Sequence, residues 1–417
     1  MPLINAFDKY ILTMIKIKSL SISNYRSCAK TKFDVLTNLT TLIGVNGAGK
    51  SNILNGIQLL KRINGYKDVI PKEFLDSFPY SLIELMLDIN NEEYNLQSDI
   101  YYNTNGKNTE ELFLAKLKIK KNNTDSKWLE IAPGLFKFID YIHRKEIKLE
   151  QIEIDDMFKE GESKDEKNLI LDVVSYLSTI SYYSATQFSD PTKCPISLEI
   201  EEFRLARSDK KEKTHEQFIY DLYKSYKLEK KKFKKYINTV NKNGIGLIDD
   251  IIFRELKTPN SSLRWMPGGK VQKIEREKNI IIPFMLIGDL NLSPNQLSEG
   301  TFKTLALIFY ILNDESNLVL IEEPEVCVHH GLLDSIIELI KSQSKHKQFF
   351  ISTHSDYVLD KLEPENIVLV KMTTEGTTAD SLPQYLSKND FDEALKEYLK
   401  ESGNLGEYWK EGGFDNE

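Results

Sequence analysis

Apolar and polar positions alternate from residue 15 onward. Ile15 and Ile17, then Leu20 and Ile22, make two short period-two stretches and predict extended structure. Residues 40–45, Thr-Thr-Leu-Ile-Gly-Val, form a second β-rich run, which Gly47, Ala48 and Gly49 break. From Lys50 the period changes, because Ile53, Ile57 and Leu60 fall at i, i+4 and i+7 on one helical face. The predicted order is strand, glycine loop, helix. Residues 80–131 alternate again, in short runs such as Ser81–Ile89 and Leu112–Ile119 separated by turn-prone clusters at 102–108 and 122–126. That reads as an antiparallel meander. Residues 135–180 return to helical spacing.

The stretch 201–240 is highly charged, yet Leu222, Tyr226, Phe233 and Tyr236 recur at near-helical spacing. A long helix or helical hairpin with one apolar stripe is predicted. Gly244, Gly246, Gly268 and Gly269 then mark a turn-rich stretch. From Asn279 order returns: a helix over Leu305–Leu312, a buried strand over Leu318–Ile321, a helix over Leu332–Ile340 and a strand over Gln348–Ile351. Alternating strands and helices imply a parallel sheet covered on both faces. Phe391, Leu395 and Tyr398 predict one further helix near the end of the sequence.

The 417 residues suggest two or three domains at roughly 150 residues each. A content of 41% apolar and 28% charged residues is that of a globular protein and not of a disordered chain. The net charge of −8 excludes a uniformly basic nucleic-acid coat. It leaves room for a local patch, since Lys210–Lys235 holds ten lysines against four acids. That patch has two readings, a tracker of phosphates or the solvated face of a helical arm. Cys28, Cys194 and Cys327 lie far apart with no C-x-x-C pair, which suits a reducing cytoplasm and indicates neither a zinc ribbon nor a disulfide framework. The longest apolar run, Ile280–Ile287, is too short to span a membrane, and no signal peptide is recognisable at the start. Residues 1–13 precede a second methionine, Met14, and their origin stays open.

Gly44-Val45-Asn46-Gly47-Ala48-Gly49-Lys50-Ser51 fits the phosphate-loop pattern G-x-x-x-x-G-K-[ST] in full, between a predicted strand and a predicted helix. Glycines let backbone N–H groups converge on phosphate oxygens. Lys50 supplies a charge to the β- and γ-phosphates, Ser51 a hydroxyl to Mg²⁺, and the helix its positive end, where Asn52 lies. Leu318-Val319-Leu320-Ile321-Glu322-Glu323 places two acids at the end of a buried strand. Glu322 is suited to Mg²⁺ and Glu323 to orienting and deprotonating water. Leu297-Ser298-Glu299-Gly300-Thr301 precedes a helix that Ser298 can cap, forming an anion site with the backbone near Gly300. Ser352-Thr353-His354-Ser355 follows a strand and can bring an imidazole near a γ-phosphate.

These four elements, in this order, resemble the ABC-type ATPase heads of the SMC, RecF and OLD group. Ile22-Ser23-Asn24-Tyr25-Arg26-Ser27 is similar to that group's opening signature, Leu297–Thr301 to its signature loop, Glu322-Glu323-Pro324-Glu325 to the Walker B of its OLD-like branch, and His354 to its switch histidine. The resemblance covers about 14–75 and 283–370, and more loosely 76–131. It implies an α/β P-loop head, with a parallel core sheet and an antiparallel β subdomain. Residues 1–131 and 283–370 would be its two halves, 132–282 an inserted, mainly helical arm, and 371–417 a tail with a short helix. Residues 405–412 resemble the tails of stand-alone ATPases in bacterial anti-phage systems.

The resemblance also implies ATP and Mg²⁺ as ligands, and a homodimer or higher homo-oligomer closed through composite ATP sites. Asn46–Asn52, Glu322, Glu323 and His354 would act in cis, and Ser298 and Gly300 in trans. Arg26 would approach nucleotide or DNA. Gln187 is either the glutamine loop or an ordinary polar residue after a strand. The chain departs from the group at Val326–His330, where OLD-like proteins carry Leu-His-Pro. Its insertion is too short for an SMC coiled coil. Residues 371–417 leave no room for a TOPRIM nuclease domain, and no Asp-x-Asp metal pair is expected there. A nuclease or toxin effector would be a separate chain. The reading is thus a cytoplasmic ATPase acting as sensor or scaffold in anti-phage defence. The alternatives are a RecF-like DNA-clamping ATPase and an assembly protein with little hydrolysis.

Overall fold

The computed structural model describes residues 14–34, 37–62, 80–102, 113–123, 125–132, 134–135, 138–139, 157–184, 187–201, 204–205, 214–265, 271–388 and 404–410. β1 (Ile15–Tyr25) buries Ile15, Ile17, Leu20 and Ile22 on one face. A register shift between Ile17 and Ser19 absorbs the three-residue step that splits the alternation in two. β1 sits between β2 (Cys28–Asp34) and β4 (Tyr80–Ile89), followed in the sheet by β5 (Glu92–Tyr102), β6 (Phe113–Lys121) and β7 (Leu129–Ile131). All these pairings are antiparallel, so the meander expected over 80–131 is present. Asn90 and Asn91 turn the tight β4–β5 hairpin with φ of 54° and 66°, the left-handed region Asn tolerates.

A second sheet has the order β17-β16-β3-β15-β14-β8. Its strands are β3 (Leu39–Ile43), β8 (Ser181–Tyr183), β14 (Leu318–Glu322), β15 (Gln348–Thr353), β16 (Ile367–Thr373) and β17 (Gly376–Ser381). All pair in parallel except β17. Every residue of β3 and β15 is buried, which explains runs that are continuous and not alternating. α1 (Lys50–Arg62) buries Ile53, Ile57 and Leu60 as its period required. α2 (Lys164–Thr179) starts at a capping box between Ser163 and Glu166. Gln348 staples the two sheets. Its amide accepts from Ile17 N–H at 2.8 Å and donates to Ile17 carbonyl at 2.9 Å, satisfying backbone beside the β1 register shift.

The chain divides into two compact units, 1–183 with 315–324 and 341–417, and 184–314 with 325–340. Both sheets above belong to the first. The second holds α3 (Thr214–Leu228) and α4 (Lys230–Val240), the helical pair expected from the apolar stripe. Phe233, Tyr236, Ile237 and Val240 are its buried face on α4, while Lys230, Lys231, Lys234 and Lys235 are exposed. α5 (Glu299–Asn313) packs on them, with Tyr236 donating its hydroxyl to Leu305 carbonyl at 3.1 Å and stacking edge-on to Phe309. α6 (His330–Gln343) follows.

The inserted region is not helical throughout. The second unit also carries an antiparallel sheet of β9 (Leu198–Glu201), β10 (Arg204–Leu205), β11 (Asp250–Trp265), β12 (Val271–Ile287) and β13 (Leu290–Leu292). β11 and β12 pair without a break from Asp250–Leu286 to Trp265–Val271, where a turn-rich stretch was expected. Residues 273–279 offer only Ile274 as an apolar position, so no alternation marked a strand.

Three short helices complete the described residues: α7 (Asp356–Leu359), α8 (Leu382–Lys388) and α9 (Leu405–Lys410). The helix expected around Phe391, Leu395 and Tyr398 lies outside them. An Asp-x-Asp pair does occur after residue 370, at Asp390 and Asp392, contrary to expectation; both also lie outside. Among the described residues, no helix is long and apolar enough to cross a membrane.

Candidate functional site

β3 ends at Ile43 and the chain turns through residues 44–49 into α1. Gly47 and Gly49 have φ of 84° and 104°, where glycine alone is unstrained. Gly49 is also sterically fixed, since a Cβ there would lie 2.0 Å from Thr377 Oγ1. At Gly44 a Cβ would lie 2.2 Å from the Val370 carbonyl oxygen. Asn46 is exposed at the rim, and Ala48 N–H closes the turn on Val45 carbonyl at 3.1 Å. Lys50 is buried, and its ammonium donates to the Gly44 and Val45 carbonyls at 2.7 and 3.1 Å. α1 has no acid in its first turn, so its positive end stays uncompensated. Ser51 and Asn52 lie in that turn, both half-buried.

A chain of polar contacts braces the loop. Arg26, at φ 50° in the β1–β2 turn, donates from Nη1 to Asn52 Oδ1 at 3.2 Å. Asn52 Nδ2 donates to Ser27 Oγ at 2.7 Å. Thr377 Oγ1 lies 2.7 Å from Ser27 Oγ and 3.1 Å from Ala48 carbonyl oxygen. β17 therefore fixes the loop from outside, and Arg26 is held at the start of α1.

Because β3, β15 and β14 are parallel neighbours, their C-terminal ends open on one edge of the sheet. Glu322, Glu323 and His354 leave from that edge beside the loop. Glu322 Oε2 accepts the Tyr182 hydroxyl at 2.5 Å. Glu323 stands at φ 47°, a strained conformation for a non-glycine residue. Its N–H donates to Ser352 carbonyl at 2.8 Å, which holds β14 to β15 at the turn. His354 Nδ1 is 3.6 Å from Glu323 Oε1. The first unit thus brings together residues 46–52, Arg26, Glu322, Glu323 and His354. Ser51 and Glu322 offer hard oxygen donors, the set that Mg²⁺ takes.

Ser298, Gly300 and Gln187 belong to the second unit. Ser298 caps α5, its Oγ accepting Thr301 N–H at 3.2 Å. At Gly300 a Cβ would lie 2.5 Å from the Cys327 carbonyl oxygen, so glycine permits the close approach of that backbone. Lys303, almost wholly buried, donates its ammonium to Val326 carbonyl at 2.5 Å. The start of α5 is therefore fitted to the loop at 326–327. Gln187 Oε1 accepts Ser184 N–H at 3.3 Å, a local turn contact.

The sequence family described as "AAA domain, putative AbiEii toxin, Type IV TA system" matches residues 39–360. The chain belongs to this AAA family. That span runs from β3 to the turn after His354, so it includes all four motifs. Among curated relatives, the "Retron Ec83 probable ATPase" of Escherichia coli is 28% identical over 40% of this chain and 31% of its own length. The "DNA double-strand break repair Rad50 ATPase" of Archaeoglobus fulgidus is 27% identical over 36% of this chain and 16% of its own. The "Endonuclease GajA" of Bacillus cereus is 31% identical over 22% and 17% respectively. The chain spans about a third or less of the length of these relatives. Among solved structures, an Smc head bound to the C-winged helix domain of ScpA is 14% identical, with a TM-score of 0.49 over 87% of this chain and 96% of that one. The resemblance to the SMC, RecF and OLD group is thus borne out by the family and its curated relatives.

Two residues that touch the candidate site escaped sequence reasoning. Tyr182 touches Glu322 across 140 residues and Thr377 touches Ala48 across 329. No local motif marks either. The only signal for Tyr182 was its place in the short apolar-aromatic run before Gln187, a run that becomes β8.

Proposed function

We propose that this chain binds ATP with Mg²⁺, hydrolyses it and dimerises on it, serving as sensor or scaffold in bacterial anti-phage defence and controlling a separate nuclease or toxin chain. The observation that carries the enzymatic part is the Glu323–His354 pair on the same sheet edge as the phosphate loop. ATP phosphates displace the Gly44 and Val45 carbonyls from Lys50, while backbone N–H groups of residues 46–52 and the end of α1 take up the remaining oxygens. Mg²⁺, when bound, neutralises charge on the β- and γ-phosphates, and Ser51 and Glu322 are the residues that would hold it. Glu323 takes a proton from water at its carboxylate as the oxygen attacks the γ-phosphorus, the bond from that phosphorus to the β–γ bridging oxygen breaks, and ADP leaves with inorganic phosphate as the other product. His354 stands beside that carboxylate and faces the γ-phosphoryl group as it is transferred to water. Arg26 braces Asn52 at the nucleotide. Ser298 and Gly300 reach the nucleotide of a second copy, and Gln187 is the candidate for sensing it in cis.

The defence role is supported by the likeness to a retron ATPase and to an endonuclease, and by a family described with a toxin–antitoxin system. DNA clamping is the second reading. It is favoured by the exposed lysines of α4 and the likeness to a repair ATPase.

Glu323→Gln tests the enzymatic reading. It should bind ATP normally, abolish phosphate release and accumulate a dimer in size-exclusion chromatography. Unimpaired turnover would sink the assignment of the base. ATP binding with no turnover even in the unaltered chain would favour the assembly role instead.

A further inference from the structure

Residues that the proposed function leaves unused gather where α9 meets the helix that follows His354. α7 begins at Asp356, two positions beyond the histidine. α9 is seated on it at both ends. Gly406 N–H donates to Asp360 Oδ1 at 2.7 Å, and the Lys410 ammonium pairs with the Asp356 carboxylate, holding that carboxyl below its usual range. The backbones also meet. A Cβ on Gly406 would lie 2.4 Å from the Asp356 carbonyl oxygen, so only glycine fits. Leu405 is buried, and Asn404 Oδ1 accepts Glu407 N–H at 2.8 Å to start the helix.

An exposed ion pair alone would fix little. Here it is joined to a buried leucine, a hydrogen bond to backbone and a glycine contact that tolerates no added atom. Segment and turn are therefore joined at both Asp356 and Asp360. The backbone of that turn places His354, two residues before α7. Its side chain is 40% exposed and stands 3.6 Å from Glu323, beyond ordinary hydrogen-bond reach. The turn that carries it is closed on one side by Ser355 N–H donating to Thr353 Oγ1 at 3.0 Å. The other side is the α7 turn that α9 covers.

We propose that residues 404–410 are a positioning clip for His354. By fixing the α7 turn they keep the imidazole beside Glu323, and so act on turnover and not on ATP affinity. The inference rests on His354 serving hydrolysis as proposed above.

Three full-length variants test it. Gly406→Ala dislodges the segment by backbone contact. Its kcat should fall roughly ten- to a hundredfold, with KM for ATP within about twofold. Lys410→Glu sets like charges together at an exposed position and should lower kcat by about threefold, while Lys410→Arg restores it. His354→Ala should lower kcat by itself, and the Gly406→Ala/His354→Ala pair should fall no further. Full turnover in both Gly406→Ala and Lys410→Glu, with His354→Ala impaired, overturns the clip and spares the site. A KM rise with unchanged kcat, or additive losses in the pair, overturns it too. Full turnover in His354→Ala instead overturns the role of the histidine. Should Gly406→Ala not fold, the kcat of Lys410→Glu and its recovery in Lys410→Arg decide alone.

Discussion

Tyr182 meets Glu322 because of strand register. Tyr182 pairs with Leu320 across β8 and β14, and Glu322 lies two residues beyond Leu320 on the same face. The tyrosine hydroxyl therefore reaches Oε2 and leaves Oε1 to other partners. If Glu322 holds Mg²⁺ as proposed, Tyr182 is an outer-sphere donor to it, and loss of such donors typically costs ten- to a hundredfold in metal affinity or activity. Tyr182→Phe keeps the ring and deletes the donor. We expect ATP affinity in the unaltered range, kcat lowered roughly tenfold, and a higher Mg²⁺ concentration for half-maximal turnover. Turnover titrated with Mg²⁺ at saturating ATP checks this; an unchanged Mg²⁺ dependence would remove Tyr182 from the site.

At the scale of elements, a buried carboxylate of α3 meets α5, beside the aromatic contacts of His215 and Phe218. Asp221 accepts the Tyr310 hydroxyl at 3.0 Å and the Gln217 amide at 2.8 Å. Burial nevertheless pushes its carboxyl from 3.8 up to about 6. At this site the folded chain then binds more protons than the unfolded one between those values, so the contribution of Asp221 to stability falls as pH rises through the window and levels off above it. The expected loss from pH 4 to pH 7 is roughly 1–3 kcal/mol. Asp221→Asn should flatten that slope and raise the urea midpoint at pH 7; equal slopes in both proteins would refute it. Neither this link nor the Gln348 staple was legible in the sequence, whereas the phosphate loop and Glu322–Glu323 were. The legible features need fixed residue types at short spacing, because loop sterics and strand ends dictate them locally. The Gln348 contact spans 331 residues and depends on a register shift that no composition announces. The β11–β12 hairpin stayed hidden for the converse reason: its distal residues have no apolar period to read.

At the scale of the whole molecule, sequence order and spatial grouping differ. Lys50 and Glu323 are distant in sequence yet share a unit, while Ser298 lies in the other. Ser298 caps α5, whose first turn also holds Glu299. If the signature acts in trans, each copy contributes half of two sites. Lys50→Ala alone should then lose nucleotide binding, and Ser298→Arg alone should bind ATP but not turn it over. Mixing the two inactive proteins makes mixed dimers in which one site carries both lesions and the other carries none. Phosphate release should therefore reappear on mixing, at up to about a quarter of the unaltered rate when association is random, since half the dimers are mixed and each has one intact site. A signature acting in cis predicts no recovery at any ratio, because every copy would keep its own lesion. The mixing experiment thus separates composite sites from self-contained ones without requiring the dimer to be isolated.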